Sequence, residues 1–348
     1  MDQERRVYPL QFTGSGGEYF RIWIVNLALT ILTLGIYSAW AKVRRKRYFT
    51  QHSYLAGHNF DYLANPVNIL KGRLIAGALF LIYVLSSKTM PMLAQALLVA
   101  LFLATPWIVT RSLQFNAHYT RHRGLSFHFH GTVGEAVKVY IMWGLLSVIT
   151  LGLAAPYAMY RRTGFYAGNH GFGSSRTEFN GRPWAFYKMF LVALALLIVP
   201  FGLMVAGVAG VAVAKAHGGP DMMKSMGLVM VAGILLFYLT LPLAIGYVRA
   251  RTANAMFSST RLGALDFVSR HGAWRLIGVY YSNLILIILT LGLFTPWAQV
   301  RLARYWLDNL DVVGSEDDLD GFVAAASDEV NAAGLEMADV FDIDVAFT

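Results

Sequence analysis

Seven apolar stretches limit what this chain can become. They cover residues 22–40, 74–86, 93–110, 139–160, 186–214, 227–248 and 276–298. Several approach or exceed the roughly 20 apolar residues needed to cross a bilayer core. A buried core helix would be shorter and would show a polar face, and these mostly do not. Composition agrees. Of 348 residues, 56% are hydrophobic and 14% charged, and mean hydropathy is +0.49. A soluble chain carries about a quarter charged residues. The start, MDQERRVYPL, mixes acids with Arg5 and Arg6 and lacks an apolar core region, so insertion is expected to use an internal segment. Cysteine is absent, which removes disulfides, thiolate metal ligands and thiol catalysis.

Three of the stretches are copies of one pattern. They read NLALTILTLGIYSAWAKVRRKRY from Asn26, WGLLSVITLGLAAPYAMYRRTGF from Trp143, and NLILIILTLGLFTPWAQVRLARY from Asn283. Thr-Leu-Gly begins at Thr33, Thr150 and Thr290, which places glycines at Gly35, Gly152 and Gly292. Five residues on stands an aromatic (Trp40, Tyr157, Trp297), and four further an arginine (Arg44, Arg161, Arg301). Asn26 and Asn283 occupy matching positions within apolar sequence, and Trp143 replaces them in the second copy. Strand-like stretches precede the copies at Leu10, Leu125 and Leu265. Residues 51–62 and 169–180, rich in Gly, Asn, His and aromatics, predict short strands and turns. Apolar helix pairs at 70–111 and 186–249 connect the copies, with Arg111 and Asn116 matched by Arg249 and Asn254.

At these residues the chain resembles the YjgN-like family of bacterial inner-membrane proteins. GGEYFRIWIVNLALTILTLGIYSAWAKVRRKRYF, GLSFHFHGT and the tail LDGFVAAASDEV…LEMADVFDID carry the likeness, which spans nearly the whole sequence. The second copy departs most from the pattern. The resemblance implies a multi-pass membrane protein and no established activity, so it assigns no catalytic residues.

Charge bears on topology. All 29 Lys and Arg precede Leu310, while 12 of the 20 acids lie between Asp308 and Thr348. If all seven stretches cross, the basic residues divide almost evenly between the two sides. If the three repeat segments instead dip in and return, only Lys88, Lys215 and Lys224 face outward and 26 of 29 face inward. The second arrangement obeys the positive-inside tendency far better, but segments of this length more often cross, so both stay open. Basic residues flanking apolar spans suit anionic lipid headgroups rather than nucleic acid. The acidic stretch 315–348 reads as a cytosolic tail that docks on basic surface such as Arg44–Arg47 or Arg121–Arg123.

Little in the sequence carries chemistry. The eight acids before Asp308 all lie outside span interiors, which disfavours a buried proton relay. Asn26 and Asn283 are better read as helix-packing groups than as a substrate path. Gly202, Ala206, Gly210 and Ala214 form a small-residue ladder that predicts close helix contact. His118 with His122, and His128 with His130, have metal-like spacings but too few companions for a closed site. GSGGE at Gly14 lacks the spacing and lysine of a phosphate loop. No catalytic set, cofactor site or metal site is assigned.

The expectation is therefore an all-α polytopic membrane protein with about seven hydrophobic helical segments, three repeats, two helix pairs and short β elements at the membrane face. Residues 1–314 form its membrane domain, with repeats near 10–60, 125–180 and 265–314. Its expected location is a bacterial inner membrane, with the C-terminus cytoplasmic. Two functions remain open. One is a transporter or channel-like protein for a small solute or lipid, and the other is a non-transporting scaffold or lipid-interacting protein.

Overall fold

A computed structural model of the protein describes residues 5–173 and 175–315. The chain forms two compact units. Unit 1 comprises Met1–Gly181, Met256–Ser269 and Thr295–Thr348, and unit 2 comprises Arg182–Ala255 and Arg270–Phe294.

The main correction to the all-α expectation lies in unit 1, which contains one antiparallel sheet of 11 strands. In chain order these are β1 (Arg6–Pro9), β2 (Gln11–Phe12), β3 (Ser53–Leu55), β4 (His58–Tyr62), β5 (Thr120–His122), β6 (Leu125–Phe129), β7 (His170–Phe172), β8 (Ser175–Phe179), β9 (Thr260–Leu262), β10 (Leu265–Ser269) and β11 (Leu310–Gly314). From β2 to β11 each strand pairs with its sequence neighbour. β1 and β2 are two pieces of one strand interrupted at Leu10, whose amide bonds to the Leu310 carbonyl at 3.0 Å. β1 pairs with β11 and β2 with β3, so this strand draws the sheet into a nearly closed barrel. Leu10, Leu125, Phe172, Leu262, Leu265, Leu310 and Val312 form one buried cluster along it. Small barrels are filled by side chains in this way.

Tight hairpin turns join β3–β4, β5–β6, β7–β8 and β9–β10. Ala56-Gly57 and Arg123-Gly124 have positive φ at both central residues, the mirror-image turn whose twist matches that of antiparallel strands. These turns lie at one rim of the sheet. Every connection to a helix leaves from the opposite rim, because the helix-proximal ends pair together, as in Tyr62 with Thr120 and Phe179 with Thr260. Gly314 pairs with Arg6 at the hairpin rim. The acidic tail expected to dock on basic surface lies outside the described residues.

The helices also correct the expected count. Among the described residues, four rather than about seven are long and apolar enough to cross a membrane: α3 (Pro66–Thr89), α4 (Pro91–His118), α8 (Pro183–His217) and α9 (Pro220–Phe257). They are the two sequence-predicted pairs, extended at both ends. The other three apolar stretches are each broken in two. The first becomes α1 (Gly16–Leu32) and α2 (Ser38–Gln51). The second becomes α5 (Val133–Ala136), a π-helical segment (Val137–Met142) and α6 (Trp143–Ile149), followed by α7 (Ala155–Ala167). The third becomes α10 (Ala273–Leu289) and α11 (Thr295–Leu307). Hydropathy registers how apolar a window is and is blind to a chain reversal inside it.

In unit 2, α8 and α9 meet backbone to backbone. A Cβ on Gly207 would sit 2.5 Å from Met230 Cα, and one on Gly233 would sit 2.6 Å from Met204 N. The predicted ladder is thus partly displaced. Gly210 and Ala214 face inward, but Gly202 borders open space and Ala206 is exposed.

Candidate functional site

The Thr-Leu-Gly triplets form the three turns, and the same hydrogen bonds recur in each. Thr33 Oγ1 donates to Leu29 O at 2.7 Å and accepts from Tyr37 N at 2.9 Å. Thr150 and Thr290 do the same, capping Ala154 N and Phe294 N, each at 3.0 Å. One hydroxyl therefore satisfies the last carbonyls of one helix and the first amides of the next. The Gly35, Gly152 and Gly292 amides reach back to Thr30, Ser147 and Ile287 carbonyls at 2.7–2.8 Å. These glycines have φ of +92° to +93°, a conformation open to residues without Cβ. The intervening Leu34, Leu151 and Leu291 have φ near +50° and are 95%, 95% and 94% exposed. Each turn thus holds an apolar side chain out at its tip while its own backbone is hydrogen-bonded.

Behind the first tip, α1 and α2 run back along one another. Arg44 Nη1 donates to Asn26 Oδ1 at 3.3 Å and to Tyr37 Oη at 3.0 Å. Tyr48 Oη donates to Ser15 O at 2.9 Å, and the Tyr19 and Tyr48 rings stack 5.1 Å apart. Asn26 is buried, and Trp40 stacks on Tyr37 and packs beside Ala39, Val43 and Ile69. In the second copy the Asn–Arg bond is replaced by ring contact, with Trp143 and Tyr157 4.4 Å apart, and Arg161 is exposed. In the third, Asn283 is buried in unit 2. Trp297 of α11 covers Gly16 at the start of α1 and lies 5.0 Å from Phe20, while Arg301 is half-buried on the same helix.

Sequence reasoning did not isolate a second grouping, where α2 meets α3, β4 and the end of α4. Ser38, Lys42 and Lys46 recur at four-residue intervals along one side of α2. Arg73 of α3 donates to Ser38 Oγ, and Lys46 Nζ donates to Asn116 Oδ1 of α4. The same ammonium lies 4.8 Å above the Tyr62 ring. Arg45 stands within electrostatic reach of Lys42, Lys46 and Arg73. Burial first, then repulsion from Lys46, Arg73 and Arg45, pulls Lys42 down to about 8, and burial with repulsion from Arg45 does the same to Lys46. The hydrogen-bond partners of Lys46 and Arg73 named above are all neutral.

The histidines disperse. His122 sits in the sheet, stacked on Phe60 at 4.4 Å, and burial pushes it down to about 4. His118 ends α4, and the His128 and His130 rings lie 6.3 Å apart. Among the described residues, no three His, Cys, Asp or Glu side chains converge as metal ligands would.

Comparison with known proteins is decided by one match. A family described as bacterial protein of unknown function (DUF898) matches residues 7–340. The chain belongs to this family. Its YjgN-like character is carried by relatives named inner membrane protein YjgN. The Salmonella typhimurium protein is 26% identical over 90% of both chains. The Escherichia coli O157:H7 protein is 30% identical over 40% of this chain and 36% of its own, and the K12 protein is 29% identical over the same shares. No solved structure matches the chain.

Proposed function

We propose that this YjgN-like protein is a lipid-engaging protein of the bacterial inner membrane, anchored by four crossing helices and by three hairpins that dip into the cytoplasmic leaflet. The observation that carries this reading is the set of three equivalent tips, each presenting a leucine to its surroundings. In water such exposure is unfavourable, and transfer into hydrocarbon is worth about 2 kcal/mol per leucine. Irregular backbone in a membrane must have its polar groups satisfied, and the threonine and glycine hydrogen bonds satisfy much of each turn locally.

Depth and charge support it. The first helix of each hairpin has 17 residues, or 133–149 in the second copy, and so rises about 25 Å, short of the hydrocarbon core of about 30 Å. Each motif arginine stands nine residues beyond its glycine. That is roughly 13 Å along a helix, so a tip near the bilayer centre leaves the arginine just under the interface, within reach of the headgroups through its long side chain. With the sheet in the cytoplasm, 26 of the 29 basic residues share its side.

The test uses the cysteine-free background. Single cysteines at Leu34, Leu151 and Leu291 carry a fluorophore in proteoliposomes. Quenching is expected to be strongest with lipids spin-labelled deep in the acyl chain. Cysteines at Lys88 and Lys215 should react with an impermeant reagent added to the periplasmic side, and a C-terminal reporter should behave as cytoplasmic. Aqueous quenching of the leucine sites would overturn the reading.

Transport is a second reading, favoured by the broken apolar segments themselves, since transporters place such breaks along substrate paths. Dependence of solute or lipid flux on the protein in sealed vesicles, abolished by changes at the turns, would support it.

A further inference from the structure

We propose that the row Ser38–Lys42–Lys46 of α2, with Arg45 and with Arg73 of α3, binds the phosphate of an anionic lipid in the cytoplasmic leaflet. This deepens the membrane reading by naming the lipid class and the residues that hold it.

The three copies separate what the scaffold requires from what is peculiar to one site. The motif arginine recurs at Arg44, Arg161 and Arg301. The lysines do not. Lys42 is matched by Met159 and Gln299, and Lys46 by Thr163 and Ala303. The same helix position therefore works with neutral side chains twice in this chain, so building an α2-like helix does not call for these cations. Yet in the first copy they lie side by side, half-buried, with Arg73 brought beside them by its bond to Ser38. Gathering like charges at reduced solvation is unfavourable, and a phosphate offsets it with several charge-assisted hydrogen bonds. The depressed lysines record that cost. Tyr62 of β4 and Asn116 of α4 hold Lys46 in place.

The position suits a headgroup. Lys42 and Lys46 stand seven and eleven residues beyond Gly35, or about 10 and 16 Å along the helix from the tip. Half of the hydrocarbon core is about 15 Å, so with the tip near mid-bilayer Lys46 stands at the phosphate level and the long Lys42 side chain extends up toward it. Arg73 immediately precedes the apolar run of α3, at the same interface.

The experiment exchanges the first copy's residues for the second's. Full-length protein carrying Lys42→Met and Lys46→Thr is compared with wild type in nanodiscs of phosphatidylcholine, with and without phosphatidylglycerol. Thermal midpoint and the lipids retained in native mass spectrometry are read. Phosphatidylglycerol should raise the wild-type midpoint and remain bound. The double variant should match or exceed wild type in pure phosphatidylcholine, because repulsion is removed, and should bind phosphatidylglycerol about tenfold more weakly, roughly the loss of one good charged contact. Lys188→Met, outside the cluster, should retain the wild-type response.

Equal phosphatidylglycerol responses in wild type and double variant would overturn the proposal. So would a double variant unstable in both lipids with its lipid preference intact, since the lysines would then be structural. Inorganic phosphate that stabilises wild type as well as the lipid does at equal concentration would assign the site to a soluble anion and overturn the lipid source. The depth measurements at Leu151 and Leu291 leave this cluster untouched, so the broader membrane reading and this site can fail separately.

Discussion

The most constrained residues are the threonine and glycine of each turn. Gly35, Gly152 and Gly292 border open space, so a side chain there meets no obstacle. The constraint is conformational, because φ near +93° lies outside the region L-residues tolerate. Gly152→Ala should cost about 1–3 kcal/mol. Thr150→Val removes the acceptor for Ala154 N and should cost about 1–3 kcal/mol. Both would appear as a lowered thermal midpoint in detergent. An unchanged midpoint in both variants would show that the turn is not held this way.

Among elements, the helix pair α8–α9 shows how a spacing pattern can be right in kind and wrong in face. Small residues four apart run through Gly202, Ala206, Gly210 and Ala214, and close packing was the correct expectation. The contact itself uses Gly207 and Gly233, where a side chain would collide with the opposing backbone. Several stripes of small residues wind around this helix, and the sequence does not say which one the neighbour meets. Gly207→Leu should therefore lower the yield of monodisperse protein and its midpoint, by overpacking on the order of 1–3 kcal/mol. Gly202→Leu should be tolerated. Equal effects from the two would place the contact elsewhere.

For the whole of unit 1, the barrel depends on its first strand. Arg6–Pro9 covers the edge of β11, and Arg5 joins Asp266 at 2.6 Å, an acid also held by Arg261 at 2.8 Å. Deleting residues 1–9 should expose that edge, lower the midpoint and promote association, because an unpaired strand edge recruits other chains. Arg5→Ala should cost no more than about 1 kcal/mol, since the pair is solvent-exposed. A truncation no worse than Arg5→Ala would mean that closure adds little to stability.

Local features could be read along the chain: the Thr-Leu-Gly triplets, the apolar runs of the four long helices, and the strand-forming stretches at 51–62 and 169–180. Each rests on residues close in sequence, such as apolar runs, Thr-Leu-Gly and glycine turns. The barrel was not legible. Its strands have two to five residues, too few to show a period, and pairings such as Arg6 with Gly314 join the two ends of the described chain. The reversal at each turn was suggested by the distribution of Lys and Arg, yet hydropathy alone allowed a seventeen-residue helix with its turn to pass for a crossing segment. The lysine cluster was hidden for a related reason. Lys42 and Lys46 stood in a visible basic run, but Arg73 and Asn116 come from other helices, and only packing brings those charges and polar groups to one place.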